Sequence, residues 1–135
     1  MRRPRFRTLR HTGDVRLAAW GADERELIAN AVAGIGAVAL GRAPRGEARQ
    51  WVEVEPWPAE PVRRLVRTLN LALFQLYTRR HVAVGFRAGA RRARLGVAPL
   101  PASARPQVEI KAATFHALEV VERHGRLRAI VTLDL

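Results

Sequence analysis

Two hydrophobic periods alternate along the chain, one of two residues and one of three to four, and they set the elements it predicts. Val15 to Trp20 is mostly apolar and follows the polar stretch His11-Thr12-Gly13-Asp14, a turn leading into a strand. After Gly21, the acids Asp23, Glu24 and Glu26 occupy the first turn of a predicted helix, where carboxylates complement the positive end of the backbone dipole. Leu27, Ile28, Ala31, Val32, Ile35, Val38 and Ala39 then recur at helical spacing, and Gly41 is a natural stop. Trp51-Val52-Glu53-Val54-Glu55 alternates as a strand does, until Pro56 and Pro58, which cannot donate to a ladder, end it. Pro61 suits the first position of a second helix, whose stripe is Val62, Leu65, Val66, Leu69, Leu73 and Leu76. Arg63, Arg64 and Arg67 fall outside that stripe, so one face is buried and one is basic.

The second half of the chain returns to strands. Val82, Val84 and Phe86 alternate with smaller residues, Arg87 to Ala90 supplies a turn, and Ala93, Leu95 and Val97 alternate with Arg92 and Arg94, which predicts a hairpin with an arginine-rich solvent face. A loop marked by Pro99, Pro101 and Pro106 leads to Glu109 to His116, which the pattern leaves open between an extended segment and a short helical turn. A last hairpin runs from Leu118 to Leu133 and turns near His124-Gly125. This order predicts an α+β fold in which two helices pack against one mostly antiparallel sheet. At 135 residues the chain is expected to form a single domain spanning 1–135.

Composition adds charge to this picture. Apolar residues make up 48% and charged residues 27%, an ordinary balance for a chain with a packed core. The formal charge is +12, enough to attract polyanions, so the arginine-rich surfaces suit a phosphate-bearing partner such as tRNA or other RNA, with a merely solvated surface as the equal alternative. Eight aromatic residues spread along the chain argue against a base-stacking platform. The absence of cysteine excludes disulfides, thiolate metal sites and cysteine nucleophiles, leaving histidine and carboxylates for any metal chemistry. The basic start, Met1 to Arg10, is followed by no apolar stretch of the kind a secretory signal needs. Leu27 to Leu40 is shorter than a bilayer span and contains Asn30, Gly34 and Gly36, so a cytoplasmic location is expected.

A few residues stand out as candidates for chemistry. Of 24 basic side chains 23 are arginine, and the only lysine is Lys111; a site that needs a compact ammonium distinguishes it from the guanidinium fork, although chance placement explains it as well. Only three aspartates exist, Asp14, Asp23 and Asp134. Asp14 and Asp134, with the terminal carboxylate of Leu135, are oxygen donors suited to a hard divalent cation; the plain alternative is a turn cap and a solvated end. His11 and His116 suit a metal ligand, a proton shuttle or a hydrogen-bonded rim group. No nucleophile elbow, phosphate-cradling glycine loop or His-Glu-x-x-His is present, so an independent catalytic centre is not expected.

Two segments together resemble the archease family. They are Leu9-Arg10-His11-Thr12-Gly13-Asp14-Val15, followed by Gly21 and an acid-started helix, and Glu109-Ile110-Lys111-Ala112-Ala113-Thr114-Phe115-His116, followed by the ending Val131-Thr132-Leu133-Asp134-Leu135. The family carries a His-Thr-Ala-Asp-like start, a Lys-Ala-x-Thr-Tyr-His segment and a terminal aspartate. The resemblance implies an accessory protein, not an enzyme. Its expected partner is an RtcB-type tRNA-splicing RNA ligase, whose guanylylation and repeated turnover such proteins promote in tRNA splicing and RNA repair. It further implies a surface site for a divalent metal ion, often calcium, held by Asp14 and Asp134 with Leu135. Lys111 matches the family's functional lysine, and His11, Thr114 and His116 match motif positions that support the site.

The chain also departs from that pattern. Gly13 stands where alanine is usual and Phe115 where tyrosine is usual. The second helix reads Arg63-Arg64-Leu65-Val66-Arg67-Thr68-Leu69-Asn70-Leu71 where the family commonly has acidic and tryptophan positions, and the histidine usual before the lysine motif is missing from Ser103-Ala104-Arg105-Pro106. The alternative expectation is therefore a basic RNA-binding module that has lost the ligase role. A metal-dependent hydrolase of phosphate compounds is a third reading, for which ligands and a base are scarce.

Overall fold

The structure, a computed structural model, describes residues 5–11, 14–115 and 118–135, with the backbone alone at 10 and 11. Its elements in chain order are β1 (Phe6–His11), β2 (Asp14–Gly21), α1 (Glu24–Leu40), β3 (Gln50–Glu53), α2 (Pro61–Arg79), β4 (His81–Ala88), β5 (Ala93–Pro99), β6 (Ala112–Thr114), β7 (Val120–Arg123) and β8 (Arg126–Asp134). The α+β class with two helices on antiparallel sheet is as the sequence predicts. The strands divide between two sheets, however, where one was expected. The larger has the order β1-β2-β8-β6, with β7 also on β8, and the smaller the order β3-β5-β4. Hydrophobic alternation shows which face of a strand is buried but not which strand lies beside it, and that is where the single-sheet expectation departs.

Two further differences concern strands. The basic start of the chain contributes β1, which pairs antiparallel with β2 from Phe6 opposite Ala19 to His11 opposite Asp14. An edge strand needs only one anchored side, and here Phe6 packs on the core. Asp14 opens β2 and so belongs to the strand, while the turn residues 12 and 13 lie outside the described residues. The segment left open in the sequence is extended at its centre, where Ala112 to Thr114 pair with Asp134 to Thr132. Because β2 occupies one side of β8, β6 and β7 share the other, end to end.

The helices sit where their patterns require. Asp23 caps α1 by accepting from the Glu26 N–H at 2.8 Å, and Gly41 ends it at φ 86°, a left-handed conformation that glycine adopts without strain. Buried positions of α1 include Leu27, Ala31, Val32, Gly34 and Ile35, spread around the helix, and it packs against β2, β4 and α2 together. Gly34 is what permits the approach to β2, since a Cβ there would meet the Leu17 side chain at 2.6 Å. By contrast α2 is one-sided, burying Leu65, Val66, Leu69, Leu73 and Leu76 and exposing Arg63, Phe74 and Arg79. The final hairpin turns at His124 and Gly125, both at positive φ, the conformation that matches strand twist in a two-residue turn. No helix among the described residues is long and apolar enough to cross a membrane.

Candidate metal centre and its surroundings

Strand register brings the predicted aspartates together. Asp14, the first residue of β2, is the direct cross-strand partner of Asp134, the last residue of β8, and Asp134 is in turn the partner of Ala112 on β6. Residues opposite each other in an antiparallel pair share a face with Cβ atoms about 5 Å apart, and two carboxylates so placed repel unless a cation stands with them. Val15, Leu17 and Ala19 are buried in the core, so alternation turns Asp14 and Arg16 to the opposite face. Arg16 faces Thr132, and Thr132 faces Thr114, so Thr114 lies one pleat from the aspartate row. Arg16, whose buried Nε has no hydrogen-bond partner among the described residues, is a cation on the aspartate face that the sequence reading did not single out.

Lys111 sits at the edge of this row. Its backbone N–H donates to the Asp134 carbonyl at 2.8 Å, which fixes it beside the second aspartate, and its side chain is exposed. Two side chains of α2 hold the segment in place. The Asn70 amide receives the Ala113 N–H at 2.9 Å and donates to the Ala113 carbonyl at 3.1 Å, matching one strand residue with both its donor and its acceptor. Seven positions later, on the same side of the helix, the Tyr77 hydroxyl donates to the Val108 carbonyl at 2.7 Å and accepts the Ile110 N–H at 3.0 Å. Burial pushes the Tyr77 hydroxyl above its ordinary pKa, against the smaller opposing effect of the Ile110 N–H. Lys111 is therefore flanked on both sides by bonds to α2. Neither Asn70 nor Tyr77 stands out in sequence as a positioning residue.

The arginine-rich surface is partly neutralised. On the smaller sheet Arg94 Nε donates to the Glu53 carboxylate at 2.8 Å and Arg92 does so as well, and these bonds hold Glu53 below the usual carboxylate pKa, Arg92 having the larger effect. The Arg87 guanidinium lies 4.1 Å from the centre of the Trp51 ring. On α2, Arg64 binds Glu24 at 3.1 Å, donates to the Pro58 carbonyl at 2.6 Å and covers Trp57. The expected solvent-facing hairpin arginines are all exposed, but among the described residues Arg87, Arg92 and Arg94 have such partners.

The donor set fits a hard divalent cation in kind. Asp14 and Asp134 are carboxylates of the kind such an ion takes, in a shell of about six to eight oxygens that water and carbonyls would have to complete, and Leu135 beside them is 41% exposed. Among the described residues no group of three or more His, Cys, Asp or Glu gathers to hold a metal alone. His11 is the backbone partner of Asp14, while its side chain, like the whole of His116, lies outside the described residues.

Comparison with known proteins is decisive at the level of family. The model of the Archease protein family (MTH1598/TM1083) matches residues 6–135. The chain belongs to the archease family. Solved structures that share its fold include the following two. Methanobacterium thermoautotrophicum protein 1598 is 24% identical with a TM-score of 0.67, covering 96% of this chain and 98% of that one. An archease from Thermotoga maritima, described as a possible chaperone, is 18% identical with a TM-score of 0.67, covering 100% of this chain and 98% of that one. A comparison with curated proteins gives no match. Archease membership agrees with the two motifs from which the resemblance was read, and the structure places the Asp14, Lys111 and Asp134 backbones side by side.

Proposed function

We propose that this archease is an accessory protein of an RtcB-type tRNA-splicing RNA ligase, promoting guanylylation and repeated turnover of the ligase in tRNA splicing or RNA repair. The observation that carries the reading is the register of Asp14 against Asp134 with Lys111 bonded to the Asp134 backbone. Residues from three distant parts of the chain meet at one sheet end that has no packing need for two carboxylates and an ammonium. The protein performs no chemistry alone in this reading, and it works in the cytoplasm with its ligase.

Asp14, Asp134 and the Leu135 carboxylate would hold a divalent ion, calcium by family resemblance. When bound, that ion supplies fixed positive charge for phosphate or carboxylate groups of the partner complex. The chain's own residues do the positioning. The β2–β8 ladder sets the separation of the two carboxylates, Asn70 and Tyr77 fix the segment that bears Lys111, and the exposed ammonium offers three rotatable donors to a phosphate. Thr114, His11 and His116 belong to the same two motifs and are assigned supporting roles by that resemblance.

Calcium titration followed by calorimetry tests the site. The wild type is expected to bind with saturable heat, and Asp134→Ala or Asp14→Asn is expected to abolish it with melting temperature nearly unchanged. The ligase's own guanylylation, measured with GTP in a single round, is expected to rise with the wild type and not with Lys111→Ala. Guanylylation that is indifferent to the wild-type protein contradicts the reading.

A further inference from the structure

A depression of about 570 Å³ opens beside α2, between the end of β3 and Phe115 just beyond β6. That volume is typical of small-molecule sites. Its chemistry is uneven. Arg63 and Arg67, one helical turn apart on α2, line it, as do Leu71 and Phe115. Among the described residues Arg67 reaches only the Glu55 carbonyl, through Nη1 at 3.3 Å, and its buried Nε has no hydrogen-bond partner there. That nitrogen is closed to solvent and does not itself meet a ligand in the depression, so Arg67 would offer an anion its charge and its terminal nitrogens. Arg63 is exposed and makes no ion pair among the described residues. Of the two acids at the rim, Glu53 is committed to Arg92 and Arg94, and Glu55 faces solvent. A smaller hollow of about 210 Å³ is lined by the same two arginines together with Pro56, Pro58, Ala59 and Glu60.

Phe115 supplies the other half of the argument. It is 55% exposed, the highest value among the exposed large hydrophobic side chains described, and its ring borders the same depression as the arginines. An aromatic face next to a pair of guanidiniums matches a ligand that is flat and apolar at one end and anionic at the other. We infer that this depression binds a nucleotide phosphate, with Arg63 and Arg67 on the phosphate oxygens and the base against Phe115 and Leu71. Guanidinium forks pair with phosphate bidentately, and one base stacked on one aromatic ring needs no extended platform. The arginines and Phe115 lie outside the aspartate row, while Asn70, which also lines the depression, holds the segment that bears Lys111, so the test varies Arg63, Arg67 and Phe115 and leaves Asn70 intact. The same chemistry has two sources, a free mononucleotide and the phosphorylated end of an RNA strand.

Calorimetric titration of the full chain with adenosine 5′-monophosphate, adenosine, inorganic phosphate, and a six-nucleotide RNA with and without a terminal phosphate tests the site. The monophosphate is expected to bind roughly tenfold or more tightly than adenosine, and Arg63→Gln and Arg67→Gln each to weaken it about tenfold, the usual effect of losing a charged hydrogen bond. Phe115→Ala is expected to weaken the monophosphate several-fold and to leave inorganic phosphate unchanged, since it removes only stacking. The surface variant Arg123→Gln/Arg126→Gln lowers the same charge elsewhere and is expected to change nothing. Arg63 and Phe115 are both exposed, so those variants keep their force even if Arg67→Gln misfolds. Tighter binding of the phosphorylated strand than of the monophosphate assigns the site to RNA ends, and the reverse order assigns it to free nucleotides. Equal binding of adenosine and its monophosphate, an equal effect of the Arg123/Arg126 variant, or no binding of any probe overturns the inference.

Discussion

Asn70 answers both backbone groups of Ala113, and a side chain in that position cannot be replaced by an apolar one without leaving two polar groups unmet. Asn70→Leu is expected to destabilise the protein by roughly 2 kcal/mol in urea unfolding. Arg16 makes the opposite kind of prediction. It shares the aspartate face, so removing its positive charge with Arg16→Gln is expected to tighten calcium binding several-fold, read by the same titration. At this scale the sequence was legible where a residue type was rare. Three aspartates and one lysine in a chain of 135 draw attention by count, and Asp14, Asp134 and Lys111 do converge. Asn70 and Tyr77 were not legible, because their partners are backbone atoms 43 and 31 to 33 positions away and no side-chain pattern marks such a pairing.

Between elements, the contact of α1 with β2 depends on a missing side chain. Gly34→Val is expected to cost roughly 1–3 kcal/mol, because the new methyls must displace Leu17, which is fully buried; thermal melting checks it. The β3–β5 pair carries a pH signature. Glu53 is held below the usual value of 4.5 by Arg92 and Arg94, so its stabilising effect is complete above that value and is lost as pH falls through the lowered one. The melting-temperature difference between wild type and Glu53→Gln is therefore expected to be constant near neutral pH and to shrink as pH drops below about 4.5. A difference unchanged down to pH 2 contradicts it. The stop of α1 at Gly41, the second helix start at Pro61 and the His124-Gly125 turn were readable, since each is decided by local backbone preference. The strand β1 and the division into two sheets were not, because both depend on which distant strand supplies the partner.

At the scale of the whole molecule, charge and fold point in different directions. The chain belongs to the archease family, while its +12 charge and the arginines of α2 depart from the acidic pattern that the resemblance implies. Charge steers encounter more than it fixes contact, so a ligase that this protein serves is expected to present an acidic docking surface, and activation is expected to weaken as ionic strength rises. The central claim is activation through the aspartate row. It is tested most directly by multiple-turnover ligation of RNA ends bearing a 2′,3′-cyclic phosphate and a 5′-hydroxyl, by the RtcB-type ligase of the same genome. The ligase would be assayed alone, with the wild-type protein, and with Asp134→Ala. Repeated turnover with the wild type, and only the ligase's own rate with Asp134→Ala, is the predicted result; the same turnover in all three reactions would contradict the account.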